Sequence, residues 1–126
     1  MLPRTDAGVI SALTALVIDD DDGVRRLIEQ RLGDAGMATA SARNGADALA
    51  LLRAMHADVI VLDLVMPVMD GREFLRELRA RGDTTPVLVL AVDPEHGGEP
   101  ELGAAMLKPF DPDGLVLRVQ QLALNR

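Results

Sequence analysis

The chain has no cysteine, no tryptophan and no tyrosine, and Phe74 and Phe110 are its only aromatic residues. Without thiols it forms neither disulfides nor thiolate metal sites, and the reducing cytoplasm is the expected location. Without aromatic platforms it is poorly equipped to stack single-stranded nucleic acid, and Leu, Val, Ile, Ala and Met must fill its core. No apolar run is long enough to span a membrane, and Met1–Asp6 has neither the basic start nor the apolar stretch of a signal peptide. Positive charge is scarce as well: 13 Lys and Arg stand against 20 Asp and Glu, a formal net charge of -7. Nucleic-acid phosphates and anionic membranes repel such a surface, so neither is expected to bind this domain directly. Phosphate loops of the G-x-x-x-x-G-K or G-x-G-x-x-G type are missing too.

What remains is a chain of 126 residues, 48% of them apolar, which suits one domain with one core. Leu13–Ile18 is a short apolar run ending at four acids, Asp19–Asp22, as expected of a strand buried on both faces. Val24, Leu27, Ile28 and Leu32 then recur at helical spacing, with Gly33 or Gly36 as the stop. Met37–Ala42 is a second strand. Asn44-Gly45 marks a turn into a helix with Ala46, Leu49 and Ala50 on its inner face, expected to run to about His56. Val59–Leu62 predicts a buried third strand ending at Asp63. Phe74, Leu75 and Leu78 form the apolar face of a third helix, and Val87–Leu90 a fourth strand. The segment Asp93–Pro100 holds two prolines and two glycines, so the fourth helix, between strands 4 and 5, is expected to be shortened or missing. Ala104–Leu107 is a brief fifth strand. Asp111 or Asp113 caps a last helix presenting Leu115, Val116, Val119 and Leu122.

Strands alternating with helices predict an α/β fold, a parallel sheet covered on both faces, whose ligands bind beyond the carboxyl ends of the strands. Those ends carry Asp19, Asp20, Asp63, Ala91 and Lys108. Three carboxylates on one open edge repel one another unless a cation sits among them, and hard oxygen donors suit a partly hydrated Mg2+. With a lysine beside a nucleophilic carboxylate, such a site is equipped for phosphoryl transfer. Asp21 and Asp22 have a simpler reading as acids that cap and favour the first turn of a helix. The basic stripe Arg72, Arg76, Arg79 is interleaved with Glu73 and Glu77 and reads as a solvated face. His56 and His96 have no second histidine at ligand spacing and read as surface residues.

Val17–Asp20, Val61–Pro67 with Met69–Gly71, Pro86-Val87 and Lys108–Phe110 together resemble the receiver domain of two-component response regulators. The resemblance covers roughly residues 13 to 124, which implies an N-terminal extension at 1–12 and a receiver domain at 13–126. It implies a flavodoxin-like (CheY-like), doubly wound sheet of five parallel strands in the order 2-1-3-4-5. Asp63 would be the phosphoacceptor, taking its phosphoryl group from a sensor histidine kinase or phosphotransfer protein. Asp20 would bind Mg2+ directly and Asp19 mainly through water, with Asp63 and the main-chain carbonyl of Val65 as further ligands. Lys108 would pair with Asp63 and then with phosphoryl oxygens, and the family commonly has a cis bond before the residue that is Pro109 here. The first-helix surface with Val24 and Arg25 would meet the kinase, and a downstream effector would read the result.

The chain departs from the family where the signal is normally read. Receivers usually carry Thr or Ser at the position of Ala91, and Tyr or Phe at that of Ala105; Val92 stands where a smaller residue is usual. The expectation is that Mg2+ binding survives while readout through strands 4 and 5 is impaired. An alternative is a phosphorylation-independent interaction module that keeps the fold and the acids. A Mg2+-dependent phosphatase using Asp63 would need a cap domain and a second acid two residues on, where Val65 stands. The chain is therefore not expected to be an enzyme beyond self-phosphorylation and autodephosphorylation.

Overall fold

The computed structural model describes residues 13–91 and 104–125. Five strands form one parallel sheet: β1 (Thr14–Ile18), β2 (Ala38–Ala42), β3 (Val59–Asp63), β4 (Val87–Ala91) and β5 (Ala104–Leu107), in the order β2-β1-β3-β4-β5. Four described helices accompany them: α1 (Asp22–Asp34), α2 (Gly45–Leu51), α3 (Gly71–Ala80) and α4 (Pro112–Leu124). The architecture is the expected flavodoxin-like one. The β4–β5 crossover, where a helix was expected to be shortened or missing, lies outside the described residues, as do Val92, His96 and residues 1–12, expected to form an extension.

The apolar runs become strands because both sides of the sheet are covered. Leu16, Ile18, Ile60, Leu62, Val87 and Val89 face a core closed by Leu49, Phe74, Leu75 and Leu78 from α2 and α3. Ala15, Val17, Val59, Val61, Leu88 and Leu90 face the opposite core, closed by Ile28 and Leu32 of α1 and by Leu115 and Val119 of α4. Every residue of β3 and β4 is buried, which is why these stretches lack polar alternation. Burying side chains of this size contributes roughly 1.5–3 kcal/mol each against the entropy of ordering the chain.

Local chemistry sets the helix ends. The Asp21 carboxylate accepts from the amides of Gly23 and Val24, and Asn44, Asp70 and Asp111 cap α2, α3 and α4 in the same way. Asp111, not Asp113, is thus the last helix's cap. At the other end of α1 the helix runs through Gly33, and Gly36 takes the left-handed φ of 96° that turns the chain into β2. The second helix is shorter than expected, ending at Leu51 rather than near His56. There the amides of Arg53 and Ala54 bond three residues back, to Ala50 and Leu51, so the chain tightens and leaves the helix. No glycine or proline between Ala46 and Asp58 signals this stop.

Candidate functional site

Parallel pairing brings the carboxyl ends of β1, β3, β4 and β5 to one edge. Ile18 lies beside Leu62, Asp63 beside Leu90, and Ala91 beside Leu107. The residues just past or at those ends are Asp19, Asp20, Asp63 and Lys108, more than forty positions apart in sequence between strands 1 and 3 yet neighbours here. Asp19, Asp20 and Asp63 each offer an oxygen within 4.8 Å of the others.

The three acids differ in surroundings. Asp19 is fully buried and both its oxygens are engaged: Oδ1 accepts from the Asp21 amide at 2.9 Å, and Oδ2 from the Lys108 ammonium at 2.9 Å. Asp20, one residue on, is exposed. Asp63 is 7% exposed; its Oδ1 accepts weakly from the Val65 amide at 3.4 Å and lies 3.5 Å from Lys108 Nζ. Lys108 therefore sits nearer to Asp19 than to Asp63, the partner expected from the resemblance. The bond from Lys108 to Pro109 is cis.

Electrostatics follow from this packing. Burial, then the charge of Asp19, pushes the Asp63 carboxyl up to about 6; Lys108 and the Val65 amide pull the other way, and a hydrogen bond with Asp20 raises it further. Burial acts against the Lys108 ammonium, but Asp19 and then Asp63 outweigh it and raise its pKa. A partly open edge with three acids and one ammonium retains unbalanced negative charge around a carboxylate that resists ionisation.

The loop after Asp63 completes the rim. Gly71 N donates to Leu64 O at 2.8 Å, and a Cβ on Gly71 would lie 2.7 Å from Asp63 O and 2.8 Å from Leu64 Cα, so only glycine lets α3 start this close to the end of β3. Val65 is 66% and Val68 81% exposed, whereas Met66 tucks into the core. Val68 has a φ of 70°, and the Met69 amide bonds back to Pro67 O, so a β-branched residue centres a γ-turn at positive φ. The sequence carries no hint of this, since valine is not a turn residue.

Ala91 ends β4, 4% exposed, and its carbonyl accepts from the Lys108 amide at 2.8 Å. Ala105 lies on β5 opposite Val89 and packs against the same core as Ala91. Neither position supplies a hydroxyl or a ring. Away from the edge, His56 is exposed beside Asp58, at 3.1 Å.

A doubly wound sheet of this strand order, with an acid cluster and a lysine at its carboxyl edge, defines a receiver of the response-regulator type. The chain belongs to that family: it matches the response regulator receiver domain over residues 15–120. It is 39% identical over 111 residues to the regulatory protein AtoC of Escherichia coli (strain K12), an alignment that covers 84% of this chain and 24% of AtoC. The chain spans only a quarter to about half the length of the curated relatives it matches. Among solved structures it is similar to the Francisella response regulator 1452 receiver domain, with 33% identity and a TM-score of 0.82 over 89% of this chain and 97% of that one. It is also similar to the response regulator TrrA of Thermotoga maritima in complex with Mg2+-BeF, with 26% identity and a TM-score of 0.79 over 87% of this chain and 98% of that one. Among the described residues, no helix is long and apolar enough to cross a membrane.

Proposed function

We propose that the domain, taken as residues 13–126 after an extension at 1–12, accepts a phosphoryl group on Asp63 from the phosphohistidine of a sensor histidine kinase or phosphotransfer protein. The observation that carries this reading is the convergence of Asp19, Asp20 and Asp63 within 4.8 Å beside Lys108, in a chain of the receiver family. The donor set fits Mg2+: hard oxygens, an excess of negative charge, and an edge open enough to leave places for water. Asp20, Asp63 and the main-chain carbonyl of Val65 would hold the ion, with Asp19, whose oxygens are already engaged, acting through water. When bound, the ion supplies positive charge against the carboxylates and the incoming phosphoryl oxygens.

The rest of the chemistry belongs to the chain. An oxygen of ionised Asp63 attacks phosphorus, the phosphorus–nitrogen bond of the donor imidazole breaks, and that nitrogen keeps the electron pair and takes a proton from water. With its pKa at about 6, Asp63 is largely ionised at neutral pH and a better nucleophile than an ordinary carboxylate. Lys108, within reach of Asp63, offers its ammonium protons to the transferred group. Incubation with acetyl phosphate and Mg2+ should add the mass of one phosphoryl group, absent in Asp63→Asn. No adduct at saturating donor would overturn the reading, and turnover of many phosphate esters would point to a phosphatase instead.

Ala91 and Ala105 support a second reading, an interaction module that binds its effector without phosphorylation. On either reading, movement through β4 and β5 should be weak. Beryllofluoride with Mg2+ would then shift amide resonances around Asp63 far more than those of residues 104–110; equal shifts would refute the impaired readout.

A further inference from the structure

We infer that Arg25 is a positioning residue for the Mg2+ site, acting on it through the main chain; the inference rests on the reading just given. Arg25 lies on the first turn of α1, where a long cation would ordinarily extend into water. Instead its side chain is only 11% exposed and folds back over the end of β1. Nη1 donates to the main-chain carbonyl of Asp19 at 2.9 Å, and Nη2 donates to the Asp22 carboxylate at 2.5 Å. Asp22 is also 4.0 Å from Arg43, which follows β2.

The Asp19 carbonyl is one end of the peptide plane that joins Asp19 to Asp20. On the β2 side, Asp19 is tied by its amide to Ala42 O at 3.2 Å, and its carboxylate is tied to Lys108 and to the Asp21 amide. Its carbonyl is held by Arg25. Fixing that oxygen fixes the orientation of the following peptide N–H and so the direction in which the Asp20 side chain leaves the chain. Asp20 is the exposed member of the cluster, and among the described residues no hydrogen bond from another side chain anchors it except the one it shares with Asp63. The planar guanidinium suits this task, because it meets a carbonyl and a carboxylate at once in a rigid fork, which an ammonium cannot do.

Charge and positioning predict opposite outcomes, which makes the role testable. As a bare positive charge near three acids, Arg25 would oppose binding of a cation, so Arg25→Met should tighten Mg2+ binding and Arg25→Lys should leave it unchanged. As a positioning residue, it should make both substitutions weaken binding, roughly tenfold for Arg25→Met, in line with the loss of other partners that orient metal ligands. The assay is titration with Mg2+ alone, followed by the amide resonances of Asp20, Asp21 and Leu64, at a temperature well below each variant's unfolding transition. Asp22→Asn, at a half-exposed residue, loosens the guanidinium without touching it and should weaken binding by a smaller factor. Lower thermal stability with an unchanged dissociation constant in all three variants would reduce Arg25 to a structural role and overturn the inference. Tighter binding in Arg25→Met would do so as well. If the unaltered protein, titrated in parallel with Asp20→Asn, shows no saturable Mg2+ binding lost in that control, the metal site itself fails and the inference with it.

Discussion

Asp63 should weaken the fold it belongs to, and replacing it with Asn should show how much. Its carboxyl titrates at about 6 in the fold against an ordinary value of 3.8. Between those values the native state holds a proton that the unfolded chain has lost, so stability falls as pH rises through this window and stays lower above it. The full difference is at most about 3 kcal/mol before screening at the open edge, and about half of it is already present by pH 5. Asp63→Asn removes the charge but keeps an acceptor for the Val65 amide and for Lys108; the lost attraction of Lys108 is already contained in the shift, and screening at the open edge reduces the net effect. The net expectation is that Asp63→Asn is more stable by about 1–2 kcal/mol near pH 7.5, roughly 4–8 °C in Tm, with the gain about halved near pH 5 and gone only below about pH 4. Thermal unfolding followed by far-ultraviolet circular dichroism, with a chelator present, measures this directly. A variant less stable than its parent at pH 7.5, or a gain equal at both pH values, would refute the assignment of strain to the Asp63 charge.

Two predictions concern the loop after Asp63. Gly71→Ala sets a Cβ against the backbone of Asp63 and Leu64, which cannot step aside as a side chain tip could; urea unfolding should show a loss of about 1–3 kcal/mol, toward the upper end. Val68→Asn replaces a β-branched residue at a φ of 70° with one that tolerates that region. Because Val68 is 81% exposed, little packing is lost, and thermal unfolding should show a gain of roughly 1 kcal/mol. Val68→Gly should gain less, since glycine also frees the unfolded chain.

Much of the fold was legible because buried parallel strands write themselves as unbroken apolar runs. Val59–Leu62 and Val87–Leu90 have no polar alternation since both faces are covered, and their spacing leaves room only for crossover helices. The caps Asp21 and Asp111 were readable for an equally local reason: a side-chain oxygen can satisfy only amides two or three residues ahead. The end of α2 at Leu51 was not, because tightening into i→i+3 bonds needs no special residue.

The acids of the site were likewise visible as strand-end residues, but their individual states were not. Sequence by itself determined which residues reach the edge, through the period of the strands and the order of the motifs, and it determined the missing hydroxyl and ring at Ala91 and Ala105. Only the tertiary structure decided how the charges divide: Lys108 lies closer to Asp19 than to Asp63, Asp63 is left with a raised pKa, and Arg25 turns inward to the Asp19 carbonyl. Those outcomes depend on distances of a few ångströms between groups as many as 89 residues apart, and on how much water each retains. Coulomb and desolvation energies vary steeply with both quantities, and neither is encoded in any short stretch of chain.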